Sequence, residues 1–183
     1  MGAITVTQIP LPQNSLVIGS LCPIHYGDAY RMALPKHFTG GVDELTELIF
    51  SPAANPSWAA RLARLRNGIV RFFGLKTMGP SSRPSEGAGP SQPAPRRRLF
   101  PVIERTGREL LLGLDDRHLD FRISVQIVDN GADRWGVVTT VVRFHNLLGR
   151  AYFLPVKPIH RRMVPAIMKK AVAAWEKANP LGE

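Results

Sequence analysis

Strict alternation of apolar and polar residues begins at Arg117 and runs through Ile127. Leu119, Phe121, Ile123, Val125 and Ile127 fall on one side, while His118, Asp120, Arg122, Ser124 and Gln126 fall on the other. A period of two over this length predicts a long strand with one face on a core. Asp129-Asn130-Gly131 supplies a hairpin turn. A second β-rich run, 135–145, follows it and ends in Arg143, Phe144, His145 and Asn146. An antiparallel hairpin brings the polar ends of these two strands together.

The same pattern places further elements on either side. Residues 25–34 put Tyr26, Asp28, Tyr30, Met32 and Leu34 on one face and read as a strand closed by Pro35. Asp28 thus lies on an aromatic face, either at a wet strand mouth or as a polar group placed inside a pocket. Residues 99–104 and 109–114, separated by a turn at Gly107, read as a hairpin. Between these strands come two helices. One spans 42–50, with Asp43, Glu44 and Glu47 matched to the helix dipole. The other opens with Asn55 and Pro56 and runs to about residue 73, with Trp58, Leu62, Leu65, Ile69 and Phe72 on one stripe and Arg61, Arg64 and Arg71 opposite.

A long last helix is expected over 158–178, kinked near Pro165, with Ile159, Met163, Ile167, Ala171 and Trp175 recurring every fourth residue. Its length of about 30 Å suits a strand of about 36 Å. The implied architecture is α+β: a curved antiparallel sheet wrapped around a long C-terminal helix, with two shorter helices after the first strand. A twisted sheet diverges from a straight rod, so a cavity is expected between them.

Residues 1–23, with Pro10, Pro12 and Pro23, show no sustained period and read as an extended arm. Residues 24–178 form the expected single domain, and 179–183 a tail. The segment 77–98 holds five Pro, four Ser and three Gly and ends in Arg96-Arg97-Arg98. It lacks the apolar surface to offset its ordering entropy and is expected to be a flexible insertion.

Composition narrows the function classes. A length of 183 residues with 44% apolar content fits one globular core. No apolar run approaches the ~20 residues of a membrane span and no secretory leader is evident, so a cytoplasmic location is expected. Cys22 is the only cysteine, which excludes an internal disulfide, and no Cys/His pair has zinc-site spacing. The net charge of +10 is concentrated in residues 61–98 and 150–183. Such patches attract anions, so an anionic surface, nucleic acid or membrane, is a possible partner through Arg61, Arg64, Arg71, Arg96, Arg97 and Arg98; solvated helix faces look the same.

The stretches Phe73-Gly-Leu-Lys76, Leu112-Gly-Leu-Asp-Asp-Arg-His-Leu-Asp-Phe-Arg-Ile-Ser-Val125, Thr140-Val-Val-Arg-Phe-His-Asn-Leu-Leu-Gly-Arg-Ala-Tyr152 and Lys157-Pro-Ile-His-Arg161 resemble a bacterial domain-of-unknown-function family, 2867 in the usual numbering. That family is in turn similar to the helix-grip superfamily of START domains, birch-pollen-allergen-like proteins and polyketide cyclases. The resemblance covers residues 25–175 and implies a helix-grip fold without a settled activity. No Gly-x-Gly-x-x-Gly loop or nucleotide-binding domain accompanies it.

Candidate chemistry collects at the hairpin ends. Asp116, His118, His145 and Asn146 are the candidate catalytic residues, with Asp120, Arg122 and Arg143 nearby. A carboxylate, an imidazole and an arginine can supply a general base and an anion clamp. The same groups can also form an exposed cross-strand network. In a helix-grip fold the row His118, Asp120, Arg122 points away from the cavity, and only the strand ends escape that argument. Tyr30, Met32, Leu119, Phe121, Ile123, Met163 and Ile167 are the candidate ligand-binding residues. His160 stands near the start of the expected helix, where it could meet an acidic group at the cavity mouth or simply face water. Three functions follow: binding of an apolar, polyketide-like or polycyclic molecule; a cyclase, dehydratase or isomerase in the same cavity; or binding of nucleic acid or an anionic membrane through the basic surface of residues 61–98 and the last helix. None requires a metal or a nucleotide cofactor.

Overall fold

The computed structural model describes residues 4–54, 100–131 and 133–180. The second helix expected after the first strand, the Pro/Ser/Gly segment, and Arg61, Arg64, Arg71, Arg96, Arg97 and Arg98 lie outside the described residues.

Alternation builds the sheet. Its strands are β1 (Val6–Ile9), β2 (Tyr26–Ala33), β3 (Val102–Arg105), β4 (Glu109–Asp115), β5 (Leu119–Asp129) and β6 (Arg134–Phe144). They pair antiparallel in the order β1-β2-β6-β5-β4-β3. Among the described residues three helices accompany them: α1 (Leu16–Ser20), α2 (Val42–Ile49) and α3 (Leu147–Ala178), with a 3-10 turn at Pro52–Ala54. The fold is α+β, a curved open sheet gripping a long C-terminal helix, in keeping with the helix-grip expectation.

The β5/β6 hairpin is the spine. Its register runs through eleven pairs from Leu119↔Phe144 to Asp129↔Arg134. The turn closes with Asn130 Oδ1 accepting from the Asp133 N–H at 2.9 Å, and Gly131 takes φ 87°, a conformation that favours glycine. Tyr30, Met32, Leu110, Leu112, Val125, Ile127 and Val138 then share one face. That face buries against Leu45 and Ile49 of α2 and Val164, Met168, Ala171 and Val172 of α3.

Two findings depart from the sequence reading. Residues 6–9 are a sheet edge paired to β2 rather than an arm, and α1 covers the opposite sheet face through Val17 and Leu21 on Leu111 and Val141. The last helix starts eleven residues early, at Leu147, and carries Pro155, Pro158 and Pro165 inside it. The chain tolerates these prolines although each removes a backbone donor. The strong local start signal is Asn146, whose side-chain oxygen accepts from the Gly149 N–H at 3.0 Å.

Gly149 fixes where α3 meets the sheet. A Cβ there would run into the backbone carbonyl of His118. Alanine normally favours a helix by about 1 kcal/mol over glycine, but a backbone carbonyl cannot swing aside as a side-chain tip can. Gly149→Ala is therefore expected to lower the unfolding free energy by about 1–3 kcal/mol, read from urea melts followed by circular dichroism.

Candidate functional site

The parity of β2 puts Tyr26, Asp28, Tyr30 and Met32 on the face covered by α3. Asp28 is closed in, with 1% of its side chain exposed. Tyr26 Oη donates to Asp28 Oδ2 at 2.5 Å, and Tyr30 Oη stands 3.5 Å from the same oxygen. From α3, His160 Nε2 lies 3.3 Å from Asp28 Oδ1. The Tyr26 ring is in turn held by Phe153, at 4.7 Å between centroids, and overlooked by the Lys157 ammonium at 5.5 Å.

Burial raises the pKa of Tyr26 above the ordinary phenol range, and the Asp28 charge raises it further against a weaker opposing pull from Arg161. Burial also raises Tyr30, again with Asp28 in support. Both phenols therefore stay protonated at neutral pH and can only donate to the carboxylate. With the proton on Nε2, His160 donates to Asp28 as well. A carboxylate that orients an imidazole is the arrangement of an acid/base pair, and a phenol kept protonated beside it is a ready donor.

An apolar wall shares this face. Cross-strand register sets Tyr26, Val142, Phe121 and Leu114 in one rank, and Asp28, Thr140, Ile123 and Leu112 in the next. Phe121 and Ile123 lie two strands from the polar cluster, about 10 Å away. Both are only half-buried, as are Leu114, Phe100 and Phe50. Phe100 bridges Phe121 and Phe50 edge-on, at 5.1 and 5.8 Å. Nearer the far end of the helix, Val164 and Met168 press on the sheet and close it.

The family model described as protein of unknown function (DUF2867) matches residues 21–167. The chain belongs to the DUF2867 family. No curated protein and no solved structure matches it. The matched span includes both Asp28 and His160.

In this DUF2867 chain the hairpin-end residues divide into separate groups. His118 is buried, with Nδ1 3.5 Å from Asp116 Oδ2 and its ring edge-on to Tyr152 at 5.3 Å. His145 Nε2 lies 2.9 Å from Asp120 Oδ1, and Arg143 holds the other oxygen at 3.2 Å. Asn146 caps α3 and also donates to the Arg117 carbonyl at 3.3 Å. Among the expected ligand-binding residues, Tyr30 and Met32 are buried on the concave face, and Phe121 and Ile123 form the half-buried wall. Leu119 is buried beside Tyr26 and Phe153. Met163 and Ile167 are half-buried, each one residue from the seam at Val164 and Met168.

Sequence reasoning undervalued His160. The buried stripe of α3 runs Phe153, Val156, His160, Val164, Met168, Ala171, Trp175, with steps of three and four. A strict step of four drifts about 40° per repeat and passes beside it. The detectable signal was an imidazole on a stripe otherwise apolar.

The opposite face carries a second buried carboxylate with a different character. Glu109 accepts from the hydroxyls of Ser15 and Ser124, both at 2.5 Å, from Gln126 Nε2 at 2.8 Å and from the Leu16 N–H at 3.1 Å. These donors saturate it and fasten α1 to the sheet. A recess of about 540 Å³ opens beside it, between α1 and the β3/β4 edge. Among the described residues no group of three His, Cys, Asp or Glu side chains is placed to hold a metal ion.

The raised phenols have a pH signature. Below pH 10.0, the ordinary phenol value, both folded and unfolded chains keep these protons and their stabilising contribution is complete. Above it the unfolded chain ionises first, so stability falls as pH rises. Alkaline titration at 295 nm is expected to show two of the three tyrosines ionising late. Tyr26→Phe should remove one late step and flatten the alkaline loss of stability.

Proposed function

We propose that this protein binds an apolar small molecule carrying one hydrogen-bonding group, on the concave face of its sheet. The observation that carries this reading is Asp28: a carboxylate sealed from water, met by two phenols and an imidazole, on the same face as a half-buried aromatic wall. Burying a carboxylate costs several kcal/mol unless its partners offset it. Glu109 shows what a purely structural solution looks like in this chain, with a backbone N–H and three side chains saturating it. Asp28 accepts instead from groups that can be re-aimed toward a ligand hydroxyl or carbonyl, while Phe121, Ile123 and Phe100 supply apolar contact.

A second reading, an acid/base enzyme such as a cyclase, dehydratase or isomerase, is favoured by the Asp28–His160 contact. In it His160 moves the proton, Asp28 orients the ring, and Tyr26 donates to a developing oxyanion. A bell-shaped pH–rate profile that loses one limb in His160→Gln would distinguish catalysis from binding.

The probe for binding is 2-naphthol, with naphthalene as the analogue lacking the hydroxyl. Saturable quenching of naphthol fluorescence is expected with the wild type, and roughly tenfold weaker binding, about 1.4 kcal/mol, for naphthalene, Asp28→Asn and Ile123→Asp. Asp28→Asn should cost no more than about 1 kcal/mol of folding stability, because it removes a buried charge while keeping an acceptor. Equal affinity across all variants, or no saturable binding, would sink the proposal.

A further inference from the structure

The outer face of α3, turned away from the sheet, carries a pattern that neither packing nor the concave site uses. Leu147 is 81% exposed and Leu154 72% exposed, the two largest apolar exposures among the described residues. They are seven residues apart and fall within about 20° of each other around the helix. Arg150 stands between them along the helix, and Arg162 and Lys169 follow about 12 and 22 Å beyond Leu154 on the same outer side, all exposed; Lys157 leans instead over the Tyr26 ring. No acidic residue occurs from Leu147 through Trp175.

Helix energetics runs against this arrangement. The first turn of a helix favours acidic residues, yet α3 has none there and places Arg150 at that end. Two large exposed leucines on a solvent-facing stripe add no folding energy either. Exposed leucines with cations between and beyond them along one helix face fit a surface that is itself anionic over an apolar interior, because the leucines enter the acyl boundary while the long basic side chains reach the headgroups. A nucleic acid would satisfy the cations and leave the leucines against a polar groove.

We propose that the outer face of α3, from Leu147 to Lys169, docks on an anionic lipid surface, with Leu147 and Leu154 inserted at the headgroup boundary. The helix lies along the surface and does not cross it: no helix among the described residues is long and apolar enough to span a membrane. This inference uses the face opposite Asp28 and does not rest on the ligand-binding reading.

Co-sedimentation of the full chain with phosphatidylglycerol/phosphatidylcholine vesicles, against pure phosphatidylcholine vesicles, tests it. Partition onto the anionic vesicles alone is expected, weakening as salt rises. Leu147→Glu/Leu154→Glu and Arg162→Glu/Lys169→Glu should each reduce it roughly tenfold or more. Glutamate suits the N-terminal part of a helix, and unchanged circular dichroism and melting would show that the variants fold. Random duplex DNA is the third arm. Absence of partition onto anionic vesicles overturns the proposal, as does partition unaffected by the leucine pair. DNA binding that ignores the leucine pair, without vesicle binding, would reassign the face to nucleic acid.

Discussion

Everything in this fold depends on the register of β5 against β6. Eleven pairs in succession decide which side chains look toward α3 and which look toward α1, since a slip by one residue would exchange the two faces. Each face has its own cover and its own buried carboxylate. Phe121, Ile123 and Val125 go to the concave side with Asp28. Asp120, Arg122 and Ser124 go to the other, where Ser124 helps saturate Glu109 and Asp120 takes Arg143 across the strand pair. The polar row of β5 is thereby committed to ties on the α1 side, while the chemistry of the concave face comes from β2 and α3.

The two carboxylates show how the same cost is met in two ways. Glu109 joins three parts of the chain far apart in sequence, through Ser15, Leu16, Ser124 and Gln126. Its partners there are neutral hydroxyl, amide and backbone donors, two of them at 2.5 Å. Asp28 depends on two aromatic hydroxyls and one imidazole, so its surroundings change if His160 gains a proton or a ligand competes for Tyr30. Glu109 fits a fastening, and Asp28 fits a group that responds to what arrives.

Most of the sheet was legible because period-two patterning is a local signal. The strands around Tyr30, Leu112, Ile123 and Val138 stand close to where alternation puts them, and α2 ends one residue short of its expected limit. Asp28 was on the correct face in the sequence. Its burial was not legible, because an acidic residue at a strand end is usually wet and nothing local announces that Tyr26 and His160 will close over it. The start of α3 was obscured by Pro158, which reads as a first-turn residue, while the true signal was a single capping side chain at Asn146. The segment before β2 was unreadable for another reason: α1 is five residues long, too short for a helical period to emerge.

Helix α3 links these features because its two sides answer to different constraints. Toward the sheet it must be narrow and apolar, and Gly149, Val164, Met168 and Ala171 meet that demand, with His160 set against Asp28. Away from the sheet the only folding requirement is solubility, which scattered charges of either sign would meet. The chain instead keeps one sign of charge over 29 residues and exposes two leucines in the first third of that stretch. A solvated face has no need of leucine, and a buried face has no place for the cations. The combination is explained by an environment that is apolar within and anionic at its edge.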